Sequence, residues 1–309
     1  SPTAQPSATG ANAVAIGDSA VASGSDALAF GDGATSSSTR STAIGYNPTA
    51  SGIASVAIGA SANSSNFYTV AIGSPSNGTG SVATSAFSAI AINGRASGTD
   101  SFAAAIATNS SSYGASGANS IAIGSKAKST GIGSVAIGYG DQNGTPIASG
   151  PASLAFINGI ATKSGSIAMG RFNYYGSPTA SGLGAIAIGD GNTASASRSV
   201  ALGNDSTSSH IDAIVIGCGA SSSAVDQITL GHTDQTVRIS STYTLPTSDG
   251  TNGQVLTTDG SGAVTFADAG GGADLYAANE SSPTAQPSAT GANAIAIGDQ
   301  AIASGDDSL

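Results

Sequence analysis

Charge is what this chain most conspicuously lacks. Lys, Arg, Asp and Glu make up 8% of its 309 residues, where a typical globular protein carries about 25%. The acids are seventeen Asp against a single Glu, Glu280, and Leu occurs only nine times. Leu, Glu, Gln, Lys and Arg lose little rotamer freedom in a helix, whereas Asp, Ser, Asn and Gly favour turns. Their imbalance excludes helices of any length. Eight basic residues under a net charge of −10 and a pI near 4.2 exclude nucleic-acid binding, which needs clustered Lys and Arg. No apolar run approaches the roughly 18 residues of a membrane span, so this segment does not insert directly into a bilayer. A lone Cys218 excludes an internal disulfide framework.

What the chain does have is 44 Gly and an abundance of Ala, Ile and Val, in a pattern that repeats. "AVAIG" ends at Gly17, "ALAFG" at Gly31, "STAIG" at Gly45, "SVAIG" at Gly59 and "TVAIG" at Gly73, every step being fourteen positions. The same step joins Gly124 to Gly138, and Gly189 to Gly203, Gly217 and Gly231. Between these runs "SVATS", "AIAIN", "SFAAA" and "SLAFI" occupy equivalent slots without the glycine. Longer steps of nineteen positions, such as Gly170 to Gly189, imply inserted loops of five. A strict short period means that one unit cannot bury its own apolar face and must stack on its neighbours. Fourteen residues are too few for two helices and fit one coil of a β-solenoid: two short strands and two turns. About sixteen coils over residues 11 to 239 would make a rod on the order of 75 Å long at the inter-strand spacing.

Side chains change face at every residue of a strand. Val14, Leu28, Val56, Val70 and Val82 therefore line up as one apolar ladder, and Ile16, Phe30, Ile44, Ile58 and Ile72 as a second, with Ala between them at positions such as 15, 29, 43, 57 and 71. A slot held to a methyl group implies close approach by another backbone. The glycine after the strand suits a corner with positive φ. Which ladder faces the inside of the roll is left open by the pattern.

A longer period lies above the short one. Residues 1–28 return at 282–309 with 23 of 28 positions identical. That closeness predicts tandem duplication and a chain cut from a longer array with a unit of about 281 residues. Residues 240–281 break the rhythm: "QVLTT" and "AVTFA" flank "DGSG", a hairpin signal, and Gly270 to Gly272 read as a hinge. The expected organisation is a β-roll over 1–239, a Gly-rich hairpin connector over 240–281, and the start of the next roll at 282–309.

The chemistry-bearing residues are sparse. His210 and His232 lack companion ligands at metal spacing, and Cys218 lacks a base. Asp18, Asp32, Asp190 and Asp299 each follow a repeat glycine and read as acceptors for turn amides; the nine-residue pattern of calcium solenoids is absent. No nucleotide loop, nucleophile elbow or metalloprotease motif is present, so no catalytic, metal or cofactor site is expected. The best candidates for ligand contact are aromatic residues in irregular segments: Phe67, Tyr68, Phe172, Tyr174 and Tyr175.

"SVAIG", recurring in phase at the fourteen-position step and followed by "A-x-A-x-G", resembles the head repeats of trimeric autotransporter adhesins of the Yersinia adhesin type, over residues 11–239 and again from 292. The connector "LPTSDGTNGQVLTTDGSGAVTF" is similar to phage tail-fibre segments. The first resemblance implies a left-handed parallel β-roll, a homotrimer, exposure at the cell surface and a role in adhesion. The expected function is a non-enzymatic extracellular fibre or adhesin, with itself as first partner and a host-surface glycan or protein as second. A phage tail fibre on a virion stays open as the alternative.

Overall fold

The computed structural model describes residues 4–73, 82–83, 87–104, 112–140, 144–170, 176–232, 235–239, 243–246, 248–268, 287–297 and 300–308. They contain strands and turns and no helix. The chain divides into two compact units, Ser1–Gln235 and Thr236–Leu309.

The first unit is a parallel β-solenoid whose regular coil is the fourteen-residue step of the sequence, as from Val56 to Val70. Each coil contributes one long rung, such as Val56–Ile58, and one short rung, such as Asn63–Ser64. The long rungs, from Val14–Ile16 to Ile228–Leu230, form a 15-stranded parallel sheet; the short rungs, from Ser7–Ala8 to Thr207–Ser208, form a 14-stranded one. Register is kept residue for residue: Val56, Ala57 and Ile58 lie beside Val70, Ala71 and Ile72. Backbone bonds link each coil to both neighbours, Val56 N–H donating to Thr69 C=O at 2.9 Å and Gly59 N–H to Ile44 C=O at 2.8 Å. Backbone groups are therefore satisfied mainly between coils, with turn bonds such as Ala27 N–H to Gly24 C=O at 3.3 Å inside each coil.

The two sheets face each other across a very thin interior. The central Ala of the long rungs points into it: Ala29, Ala43, Ala57, Ala71, Ala122 and Ala136 are fully buried. The second residue of the short rung, Ala22, Ser36, Ala50 or Ser64, points in from the other side and is fully buried too. Methyl and hydroxymethyl groups fill nearly all of it, which is why Ala holds this slot so often. Where Ser faces Ser or Thr the hydroxyls pair, as at Ser36–Ser41, Ser64–Thr69 and Ser129–Ser134. Near the end of the unit Val215 and then Thr229 take the Ala slot in register.

The corner after the long rung has the positive φ expected of its glycine. Gly59 sits at φ 116°, and a Cβ there would lie 2.6 Å from the carbonyl oxygen of Gly73 in the next coil. The opposite corner uses a left-handed residue that is seldom glycine: Asp26, Arg40, Ala54, Tyr68 and Asp100 all have φ between 53° and 59°.

One assignment differs from expectation. Val82 is not a member of the Val14 ladder; Val82–Ala83 is a short rung, paired with Asn63–Ser64 on one side and Arg95–Ala96 on the other. The long rung after Val70–Ile72 is Ile90–Ile92. Each coil must supply a short rung between two long ones, and "SVATS" is the segment that lies between them. "AIAIN", "SFAAA" and "SLAFI" do supply long rungs.

The irregular steps follow a rule of their own. The interval between long rungs widens to nineteen or twenty positions at Val70 to Ile90, Phe102 to Ile121, Val135 to Leu154 and Ile167 to Ile186. In each case five extra positions fall between the start of a long rung and the start of the following short rung, so all four steps widen at the same point of the coil. They occur on alternate coils, about 9.6 Å apart at the inter-strand spacing.

Within the second unit, Gln254–Thr258 and Val264–Asp268 form the expected antiparallel hairpin, with Leu256 opposite Phe266. Asp259 organises its turn, accepting from the backbone N–H of Ser261 and of Ala263. Ser288–Ala289 pairs in parallel with Ile302–Ala303, as Ser7–Ala8 pairs with Val21–Ala22 in the first copy of the duplicated sequence. The Gly270–Gly272 hinge lies outside the described residues.

Candidate functional site

With the Ala column inside, the flanking Val and Ile of every long rung point outward. They do not vanish into a core: Val14 is 45% exposed, Ile16 50%, Ile188 36% and Ile216 41%. The outer face of the 15-stranded sheet is thus an apolar surface running the length of the roll. Isolated exposed apolar side chains are ordinary, but soluble monomers rarely carry a contiguous apolar patch larger than a few hundred Å².

The aromatic candidates separate. Phe67 packs on Phe87, ring centroids 5.4 Å apart and planes tilted by 33°. They occupy the same corner position of successive coils, where Ser88 N–H donates to Phe67 C=O. Tyr68 is the left-handed corner residue and stands 59% exposed. Phe172, Tyr174 and Tyr175 lie outside the described residues. The widened step of that coil hides the pairing with Phe87 from the sequence; only the rung register reveals it.

Polar residues mainly join coil to coil. Asp18 Oδ1 accepts from Ala4 N–H at 2.9 Å. Asn12 Nδ2 donates to Asp26 Oδ1 at 3.1 Å, and the duplicated Asn293 and Asp307 repeat the bond at 3.2 Å. Arg198 donates to both carboxylate oxygens of Asp212, one coil further on. That hydrogen-bonded ion pair holds the Asp212 carboxyl below its ordinary range and the Arg198 guanidinium above its own. Asp259 is likewise held low, by the Ser261 hydroxyl and turn amides.

The remaining candidates make no centre. His210 Nδ1 is 2.9 Å from Ser222 Oγ, His232 lies apart beside Gly219, and Cys218 is exposed with a free thiol. Among the described residues no three His, Cys, Asp or Glu side chains gather as metal ligands.

Comparison with known families agrees with that architecture. The model of the YadA head domain repeat matches residues 8–34, 22–47, 50–74, 115–140, 180–206 and 289–309. Its matches fall in the roll and again in the second copy of the duplicated sequence. No curated protein matches the chain.

Proposed function

Taking the chain as a carrier of YadA head repeats, and so as a protein like the trimeric autotransporter adhesins, we propose that three copies associate side by side into an extracellular, non-enzymatic adhesive fibre. The observation that carries this reading is the half-exposed Val and Ile face of the long rungs. Its apolar side chains repeat at the rung spacing of about 4.8 Å. Only a surface with the same period meets it rung for rung, and another copy of this chain has that period. Rotational symmetry about an axis parallel to the roll keeps equal rungs at equal height, and closed symmetry of this kind is the common solution for homo-oligomers. Burial of that face contributes about 25 cal/mol per Å² of apolar surface removed from water, which a roll filled with methyl groups cannot supply alone.

On this reading the roll is left-handed, residues 1–239 are one rod, 240–281 a connector and 282–309 the start of a second rod. The fibre stands at the cell surface, and Phe67, Tyr68, Phe172, Tyr174 and Tyr175 meet a host glycan or protein. The experiment is the mass of the purified chain by light scattering. Three times the 29.1 kDa chain mass supports the assembly; a monomer at micromolar concentration overturns it.

A further inference from the structure

Basic residues are few and unevenly placed. Residues 95–171 hold five of the eight Lys and Arg, Arg95, Lys126, Lys128, Lys163 and Arg171, but only two of the eighteen acids, Asp100 and Asp141. An acidic chain therefore has a net basic band in its middle. Within that band the register of the short rungs brings two cations together. Ala96 pairs with Ala115, and Gly114 with Lys128, so Arg95, Gly114 and Lys128 occupy one outward column on three successive rungs.

The middle position has no side chain. Gly114 lies directly against the backbone of Arg95, its absent Cβ falling 2.2 Å from the Arg95 carbonyl oxygen. The result is a notch with one cation above it and one below, about 9.6 Å apart in the backbone at two inter-strand spacings. It opens into a cavity of about 350 Å³, edged by Tyr113 and by the hydroxyl residues Ser97 and Thr130. Arg95, Lys128, Tyr113 and Thr130 are all half-buried. Arg198 has its carboxylate in Asp212, whereas no ion pair of Arg95 or Lys128 is found among the described residues. Tyr113, the residue before Gly114, stands at the rim.

We propose that this notch binds an anionic sugar unit of an acidic polysaccharide, its carboxylate or sulfate seated between Arg95 and Lys128. A guanidinium fork matches a planar carboxylate or two sulfate oxygens in bidentate fashion, while Lys supplies a compact second charge. Ser and Thr hydroxyls donate to or accept from sugar hydroxyls, and Tyr113 offers an aromatic body with a polar tip. The cavity lies at the small end of ligand pockets, which span about 300–1,000 Å³, so it takes one unit of a chain that continues along the corner. The outward column of short rungs is on the opposite sheet from the Val and Ile face, so assembly through that face leaves the notch open. The inference rests on the adhesive reading and names the ligand class for it.

The test uses the full chain and three immobilised polymers: heparin for sulfate, hyaluronan for carboxylate alone, and dextran as the neutral control. The unmodified protein binds heparin, hyaluronan or both at low salt and does not bind dextran; which of the two anionic polymers is held identifies the anion. Arg95→Gln with Lys128→Gln weakens that binding at least tenfold. Arg40→Gln with Arg198→Gln, which removes the same charge from outside the band, changes it less than twofold. Arg95→Lys, which keeps the charge and loses the fork, weakens binding severalfold. The substituted side chains point outward, and an unchanged melting temperature verifies each fold; Lys128→Gln alone serves if the double variant melts early. No binding to either anionic polymer, or equal loss in the control pair, overturns the proposal. Light scattering on the same samples separates the two readings: trimers that fail to bind overturn this site alone, and monomers overturn the assembly.

Discussion

The hydroxyls of Ser36 and Ser41 meet at 2.6 Å inside the roll, one from a short rung and one from the residue before a long rung. Ser64 with Thr69 and Ser129 with Ser134 repeat the pairing at the same five-residue spacing. Ser55 stands at the equivalent place opposite Ala50, and its buried hydroxyl has no partner. An unpaired buried polar group costs about 1–3 kcal/mol, whereas removing both partners is nearly neutral. Ser55→Ala is therefore expected to leave stability unchanged or raise it, while Ser41→Ala, which strands Ser36, lowers it by about 1–3 kcal/mol. Thermal melts of the two variants decide; equal losses would show that the interior is indifferent to its hydroxyl pairs.

Close stacking makes a second contrast between two glycines of adjacent coils. A Cβ at Gly117 would lie 2.1 Å from the carbonyl oxygen of Gly131 in the next coil. At Gly133 nothing lies within 4 Å and only a φ of 63° disfavours a side chain. Gly133→Ala should cost about 1–2 kcal/mol, the left-handed penalty. Gly117→Ala has to push adjacent coils apart, and should exceed about 3 kcal/mol, in the range that single substitutions seldom reach. Chemical denaturation of both variants would refute the stacking geometry if Gly117→Ala proved the milder.

If three copies assemble as proposed, the outward Ile column separates folding from assembly. Ile58→Lys together with Ile72→Lys changes half-buried outward side chains of adjacent long rungs, and leaves Ala57 and Ala71 in the interior. The expected product keeps its β-sheet circular dichroism and loses the oligomeric mass. An unfolded product would mean that the outer face is needed for the roll itself; a trimer of normal stability would remove that face from the interface.

Acid should release one coil-to-coil link. Asp212 is held low by its hydrogen bonds from Arg198. The stability it contributes is therefore present above the unfolded carboxylate value of about 3.9 and is lost as pH falls through the lower folded value. The gap in melting temperature between the unmodified protein and Asp212→Asn is expected to be present at pH 6 and to close below pH 3. Both side chains are solvent-accessible, so added salt should narrow the gap as well. A gap that persists below pH 3 would assign it to something other than the ion pair.

Much of this fold is legible because it is written in period. Gly17, Gly31, Gly45, Gly59 and Gly73 mark the coils outright, and the hairpin around Asp259 is announced by its turn. What stays hidden depends on depth or on register across uneven steps. Ala57 and Val56 alternate in sequence, but nothing in alternation says which side is the inside; the roll's thinness decides, since small side chains fill nearly all of its interior. Pattern alone misplaces Val82 because Val-Ala begins both kinds of rung. Phe67 meets Phe87, and Arg95 nears Lys128, across insertions that break the regular count, so neither juxtaposition can be read before the rungs are paired. Phe172, Tyr174 and Tyr175 are legible only as aromatic residues in an irregular segment.

The bonds that hold coil to coil, such as Val56 N–H to Thr69 C=O, point along the stack. Tension applied along the roll is carried by every interface between coils in series, and an end coil, bonded on one side only, is freed whole when its rung gives way. Fourteen residues drawn out span about 46–50 Å at full extension, while the coil they leave occupied about 4.8 Å of stack. Each failure would lengthen the molecule roughly tenfold over that increment and relax the pull on the rungs behind it. A rod made this way yields in small steps under load, and each step is a place where the load can fall.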